Sequence, residues 1–299
     1  MNVRQLISFV LIFCGSLGYG FSQSAQSGKT DFSFVFMTDV HIRPDSAVVA
    51  AFNRAIDTIN KLDVDFVISG GDQVYDVMRG NKAKSDTLFT LYKTLSGRIK
   101  VPVHNTVGNH ELFGIYPESV EDSTHADYKY GMFRRYFGDT YYAFDHKGWH
   151  FIVLNALDVA DQKYFGQIGT EQLRWLQRDL AAVSPETPIV VTLHIPLVSV
   201  FNQVYPRPGQ NNDDGPGIVD RDELLAAFKG HKLKLVLQGH LHWLEDLNVE
   251  SRTHFITGGS VAGRPTWRGT NFGPRGFLLF DVKDDRFSWE YIKYEQPMN

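Results

Sequence analysis

The 299-residue chain is 43% hydrophobic and 21% charged, with a formal net charge of -4 at pH 7. This composition excludes a wholly disordered chain, and its acidic balance lacks the basic footprint of general nucleic-acid binding. A single cysteine excludes an intramolecular disulfide framework and a cysteine-only zinc site, so stability must come from a packed core.

Residues 1–23 read as a secretory signal peptide. Arg4 is the only charge before Lys29, and it precedes the apolar run Leu6 to Cys14. That run falls well short of the ~18 apolar residues a membrane span needs. Cleavage after Gly20 or Gln23 would remove Cys14 and leave a cysteine-free mature chain, in keeping with an oxidising compartment. The expectation is an exported protein, periplasmic or extracellular, with a single domain over residues 24–299 and no transmembrane segment in the mature chain.

Five short apolar runs follow: Phe32–Met37, Asp65–Ser69, Val101–Thr106, Ile189–Leu193 and Leu233–Leu237. Continuous runs of this length predict strands buried on both faces. Helical periodicity over Val48–Leu62 places Val48, Phe52, Ala55, Ile56, Ile59 and Leu62 on one face. A second helix is predicted over Thr170–Val183. Asp220 with Glu223 three residues on reads as a capping box opening a third. Tyr141–Phe144 and Trp149–Asn155 read as an antiparallel hairpin around His146-Lys147-Gly148, and Thr253–Thr257, Phe277–Val282 and Phe287–Tyr291 as a further antiparallel series. The fold class expected is mixed α/β, with more than one sheet sandwiched by helices.

In open α/β sheets, sites form beyond the carboxyl ends of strands. Each of the five runs delivers an aspartate, asparagine or histidine there: Asp39 and His41 in T-D-V-H, Asp72 in S-G-G-D, Asn109 and His110 in V-G-N-H-E, His194 in T-L-H-I-P, and His240 and His242 in Q-G-H-L-H. Carboxylate, amide and imidazole without thiolate suit first-row metals such as Mn, Fe or Zn. The set is large enough for two ions, and an aspartate can bridge a pair ~3.5–4 Å apart. Gly71, Gly108 and Gly239 precede ligand residues where the backbone must turn sharply. The other histidines (His104, His125, His146, His150, His231 and His254) are expected to be structural.

In this order and spacing the motifs resemble the calcineurin-like metallophosphoesterase superfamily, whose pattern is D-x-H, G-D, G-N-H-(D/E), H and G-H-x-H. The resemblance runs from Asp39 to His242 and implies a four-layer αββα sandwich with two mixed sheets. It implies a dinuclear centre of divalent or mixed-valence ions. Asp39, His41, Asp72 and His242 would hold one ion, and Asp72, Asn109, His194 and His240 the other, with Asp72 bridging. His110 would contact the scissile phosphate and serve the leaving oxygen. The implied activity is hydrolysis of a small phosphodiester or phosphomonoester by in-line attack of metal-activated water, with Asp72 and His110 catalytic. The competing readings are a phospho-ligand-binding protein that keeps its metals without turnover, and a protein Ser/Thr phosphatase. Tyr75 in G-D-Q-V-Y resembles the iron-binding tyrosine of purple acid phosphatases, but those enzymes carry glycine where His41 stands, which favours a supporting or packing role.

Two segments are expected to wall the site. Leu112–Tyr130 carries Phe113, Tyr116, Tyr128 and Glu121-Asp122. Val198–Gly217 carries Phe201, Tyr205, Arg207 and the acidic turn Asn211–Gly215. A third, Gly263–Gly269, combines Arg264 and Arg268 with Trp267. It reads either as an arginine clamp on phosphate with Trp267 stacking a base or as a surface loop with solvated arginines.

Overall fold

A computed structural model describes residues 31–205, 217–263, 266–267, 270–271 and 273–294. In chain order the elements are β1 (Phe32–Met37), α1 (Ser46–Ile59), β2 (Phe66–Ser69), α2 (Lys82–Ser96), β3 (Val103–Asn105), α3 (Gly131–Phe137), β4 (Tyr142–His146), β5 (Trp149–Val153), β6 (Leu157–Ala160), β7 (Lys163–Gly166), α4 (Thr170–Ala182), β8 (Pro188–Thr192), α5 (Phe201–Val204), α6 (Arg221–Ala227) and β9 (Lys232–Gln238). The remainder are β10 (Glu245–Val249), β11 (Thr253–Thr257), β12 (Thr266–Trp267), β13 (Thr270–Asn271), β14 (Gly276–Lys283) and β15 (Arg286–Lys293).

Two large mixed sheets result, with strand orders β15-β14-β1-β2-β3 and β10-β11-β9-β8-β5-β4. The strands inside each are parallel, β1 to β2 to β3 in one sheet and β5 to β8 to β9 to β11 in the other. Antiparallel partners occupy the outer positions: β14 and β15 in the first sheet, β4 and β10 in the second.

The period-two alternation of each strand explains the layering. Phe32, Phe34 and Phe36 of β1 point between the sheets, onto Phe66, Ile68, Phe151, Val190, Leu235, Leu237 and Ile256. Val35 and Met37 of the same strand join the cluster formed with Val48, Phe52, Ala55 and Ile56 of α1. A strand that feeds two cores must be apolar throughout, which explains the continuous runs of β1, β2, β8 and β9. Strand β3, expected to be buried on both faces, instead lies at the sheet edge and is only partly buried.

Aromatic rings dominate the inter-sheet layer. Phe34 is fully buried, stacked on Phe280 at 4.7 Å and on Phe66 at 5.2 Å, with Phe151 edge-on at 5.7 Å.

Several local expectations are corrected. The helix read from Val48 begins at Ser46, because the Asp45 carboxylate accepts the N–H groups of Ala47 and Val48 and caps it. Asp220 does not cap its own helix. Its carboxylate takes the N–H groups of Ile168 and Gly169, at the entrance to α4. The C-terminal antiparallel series is divided between the sheets: β11 runs parallel to β9, while β14 and β15 form a hairpin beside β1. Helix α2 and strand β10 went unread. Only Leu88, Phe89 and Tyr92 of the large apolar residues of α2 are buried, and β10 is mostly polar and exposed.

Replacing Phe34 by Ala is expected to lower unfolding free energy by about 3–5 kcal/mol, measured by urea denaturation. His104 stacks on Phe144 at 3.8 Å, and burial with the neighbouring His146 charge pushes its pKa down from 6.5 to about 4. The unfolded chain therefore takes up this proton first as pH falls, so His104 drains stability from its ordinary value down through about pH 4. His104→Gln should shrink the shift in urea midpoint between about pH 7 and about pH 4.5.

Candidate metal centre

The strand ends converge. Asp39 and His41 leave β1, Asp72 leaves β2, and Asn109 with His110 lies in a 3-10 turn after β3. His194 follows β8, and His240 with His242 follows β9. Three strands of one sheet and two of the other thus deliver every candidate ligand to one end of the sandwich. Backbone ties hold the loops together: Asp39 N–H donates to Gly71 O at 3.0 Å, His41 N–H to Asp72 O at 2.9 Å, and Gly239 N–H to His194 O at 3.0 Å.

Two groups of side-chain donors result. In the first, His242 Nε2 lies 3.2 Å from Asp39 Oδ1 and 3.0 Å from His41 Nε2. Asp39 Oδ2 is already engaged by Thr38 Oγ1 and His240 N–H, but Oδ1 is buried without a hydrogen-bond partner, as is His41 Nδ1. In the second, His194 Nε2 lies 3.2 Å from both Asp72 Oδ2 and Asn109 Oδ1, and His240 Nδ1 lies 3.0 Å from Asn109 Oδ1. Asp72 Oδ2 is also 3.6 Å from His41 Nε2, so this one oxygen stands between the groups. An orphaned buried carboxylate oxygen facing two imidazole nitrogens is costly unless a cation completes it. Among the described residues, the sets able to hold a metal ion are drawn from Asp39, His41, Asp72, His110, His194, His240 and His242.

The electrostatics agree with a cation-binding cluster. Burial opposes the charged form of Asp39, yet the adjacent His242 and His41 imidazoles hold its carboxyl well below the usual range. Asp72 is likewise lowered against burial by His194 and His110. Burial resists protonation of His194, but the Asp72 charge and its hydrogen bond raise it to about 9. Burial, reinforced by His194, pushes His240 down to about 3. The Nδ1 of His194 faces Gly70 O at 2.9 Å, so that nitrogen carries a proton and Nε2 is the atom that could serve as a ligand.

Asp39, His41, Asp72, His240 and His242 all adopt positive φ, between 49° and 72°. Left-handed backbone is uncommon outside glycine, and its concentration at one site is a mark of function. Gly71 has φ +100°, and a Cβ there would lie 2.5 Å from His194 Nδ1. At Gly108 a Cβ would lie 2.2 Å from Asp72 N. Neither position admits a side chain without displacing a ligand.

His110 is held differently. The N–H of Asp76 donates to its Nδ1 at 2.9 Å, so the ring proton resides on Nε2, which lies 3.9 Å from Asp72 Oδ2. Burial pushes its pKa down to about 4, leaving a neutral donor.

A cleft of about 290 Å³ opens beside the cluster, lined by Asp72, Asn109, His110 and His240 and by Tyr75, Asp76, Met78, Arg79, Tyr116 and Tyr164. Tyr75 is 45% exposed, so it walls the cleft rather than packing in the core, with its ring 5.8 Å from that of His110. Of the expected walls, Tyr116 lines the cleft, whereas Phe113 and Phe201 are core residues. Arg207, the turn Asn211–Gly215, and Arg264 and Arg268 lie outside the described residues, as does the side chain of Trp267. Residues 1–23 also lie outside them.

A family model described as calcineurin-like phosphoesterase matches residues 32–244. The chain belongs to the calcineurin-like phosphoesterase family. As a member it is a metal-dependent phosphoester hydrolase, and the family implies a dinuclear divalent-metal site, which the donor set fits. No curated protein sequence matches it. The fold is similar to that of a dimetal phosphatase from Danio rerio, with TM-score 0.61 and 15% identity over 90% of this chain and 98% of that one. It is also similar to a purple acid phosphatase from yellow lupin seeds (TM-score 0.61, 16% identity, 90% of this chain and 52% of that one). A phosphopantetheinyl hydrolase from Mycobacterium tuberculosis gives TM-score 0.51 and 13% identity over 85% of this chain and 97% of that one. Identities this low establish the shared fold alone. The fold is thus the expected mixed α/β sandwich with two mixed sheets, and among its described residues no helix is long and apolar enough to cross a membrane.

Sequence reasoning passed over Glu111, the last residue of G-N-H-E. It is fully buried and accepts N–H groups from Gly108 at 2.8 Å, Asp72 at 2.9 Å and Val74 at 3.0 Å, stitching two ligand loops together. Glu111→Ala would orphan three buried donors, each worth about 1–3 kcal/mol. It should therefore unfold at markedly lower urea concentration, and Glu111→Gln, which keeps both acceptor positions in part, at an intermediate one.

Proposed function

We propose that the chain is an exported hydrolase of small phosphate esters whose Asp39, His41, Asp72 and His242 hold one divalent ion and Asp72, Asn109, His194 and His240 a second. The observation that carries the assignment is Asp72 Oδ2, within 3.6 Å of imidazoles from both groups. When bound, such ions polarise phosphoryl oxygens and make water a competent nucleophile near neutral pH.

The chain's own part in the reaction follows from its fixed groups. Asp72 is oriented by the His110 backbone N–H, which donates to its Oδ1 at 2.9 Å, leaving Oδ2 toward His194 and His41. His110 donates a hydrogen bond from Nε2 to the departing oxygen as negative charge develops there.

Phosphodiesters are the favoured class. A second cleft of about 190 Å³ borders the cluster at His242, lined by Leu244, Ser260, Tyr291 and Lys293 among others. Clefts at both His240 and His242 offer room for substituents on two sides of phosphorus. The apolar run from Leu6 to Cys14 supports export, and the mixed nitrogen and oxygen donors suit Mn, Fe or Zn.

Chelation should abolish release of nitrophenol from bis(p-nitrophenyl) phosphate, and added manganese should restore it. Release from this diester should exceed release from p-nitrophenyl phosphate. Asp72→Asn and His110→Ala should each lower kcat by at least about tenfold while the protein remains folded. Near-wild-type turnover by either variant would overturn the assignment. Tight binding of the phosphate esters without any metal-dependent turnover would identify a binding protein instead.

A further inference from the structure

The reading above leaves one permanent cation of the cleft without a task. Among the described residues lining it, Arg79 is the single lysine or arginine. Its guanidinium lies 4.1 Å above the Tyr116 ring, its Nη1 is 3.2 Å from Asp76 Oδ2, and its Nε is 3.6 Å from Glu118 Oε1. These contacts use one face and two nitrogens. The Tyr116 side chain also hydrogen-bonds the guanidinium, and the Arg79 side chain is 42% exposed, so part of the guanidinium still reaches solvent.

The platform under Arg79 is built from two loops joined by hydrogen bonds. Tyr116 N–H donates to Met78 O at 3.1 Å, Gly114 N–H to Val77 O at 3.2 Å, and Ser119 Oγ to Gly80 O at 2.7 Å. Val77 N–H in turn donates to His110 O at 3.2 Å, so the Arg79 loop is registered directly on the candidate catalytic turn. A guanidinium held this way keeps its fork oriented before a ligand arrives, which lowers the ordering cost of binding.

The position of Arg79 relative to His110 decides what it can read. The Nε2 edge of His110 faces the metal-binding cluster, at 3.9 Å from Asp72 Oδ2. The opposite Nδ1 edge faces Asp76, the residue that holds Arg79. Arg79 and His110 line the same cleft, and Asp76 bonds to both, through its backbone N–H to His110 and its carboxylate to Arg79. We infer that Arg79 is a specificity-determining residue that binds an anionic group, carboxylate or phosphate, carried by the leaving portion of the substrate. The guanidinium donates a charge-assisted hydrogen bond to that anion while Tyr116 supports it from below. The inference rests on the phosphoesterase reading of the neighbouring cluster and narrows its substrates to esters whose leaving group is itself negatively charged.

The test uses two probes that cannot be hydrolysed, phenylphosphonate and 4-carboxyphenylphosphonate, titrated calorimetrically into the manganese-loaded protein. Wild type should bind the carboxylated probe more tightly. Arg79→Gln should weaken that probe about tenfold, the scale of a lost charge-assisted hydrogen bond, and phenylphosphonate less than about twofold. Arg79→Lys, which keeps the charge but loses the fork, should fall between. No preference in the wild type, equal weakening of both probes, or no weakening of either would overturn the inference. Failure of the underlying reading is seen separately, as absence of metal-dependent turnover of bis(p-nitrophenyl) phosphate by wild type, and leaves the binding comparison interpretable.

Discussion

Two carboxylates and four imidazoles of this protein are withdrawn from water at a single point, and most of its architecture serves to hold them there. Asp39, Asp72, His41, His194, His240 and His242 are all buried. Concentrating such groups in a medium of low dielectric is unfavourable unless opposite charge is supplied. In the protein alone, part of that charge comes from His194, whose proton is retained by Asp72. Divalent ions held by the proposed ligands would supply it more completely and would compete with that proton for the same Nε2. The cluster is therefore incomplete by construction, and the orphaned Oδ1 of Asp39 is its clearest sign.

Holding such a cluster requires a scaffold that does not yield. The aromatic layer between the sheets fixes their spacing, with Phe34 stacked between Phe66 and Phe280. The parallel strands of both sheets then point their carboxyl ends at the same region. There the chain adopts left-handed turns at five of the proposed ligands. Each turn costs of order 1–3 kcal/mol, a burden that only a well-packed surrounding structure sustains. Glu111 contributes by satisfying three backbone donors that these turns expose.

What could be read in advance followed from burial. Strands packed on both faces write a continuous apolar run, and a ligand placed directly after such a run is conspicuous; Asp39, Asp72, Asn109, His194 and His240 were found that way. Residues that act on the backbone leave no such mark. Asp220 resembled a helix cap but serves the loop at Ile168 and Gly169, a relation 52 and 51 residues distant in sequence. Exposed elements were equally silent: β10 presents polar side chains and α2 buries few large ones, so neither writes a strong periodicity. Arg79 carried no signal because the ring that supports it, Tyr116, is reached across a loop.

The peptide N–H of Asp76 on the Nδ1 of His110 has a consequence for chemistry. A histidine whose Nδ1 donates to a carboxylate can become an imidazolium and hand over a proton. Here Nδ1 is committed as an acceptor, and gaining a second proton would set two N–H groups against each other. His110 can steady negative charge but is poorly arranged to neutralise it by full transfer. Such a ring serves groups that depart comfortably as anions, such as phenolates or phosphates, better than simple alkoxides. The direction of one peptide bond thus bears on which esters this fold can cleave quickly.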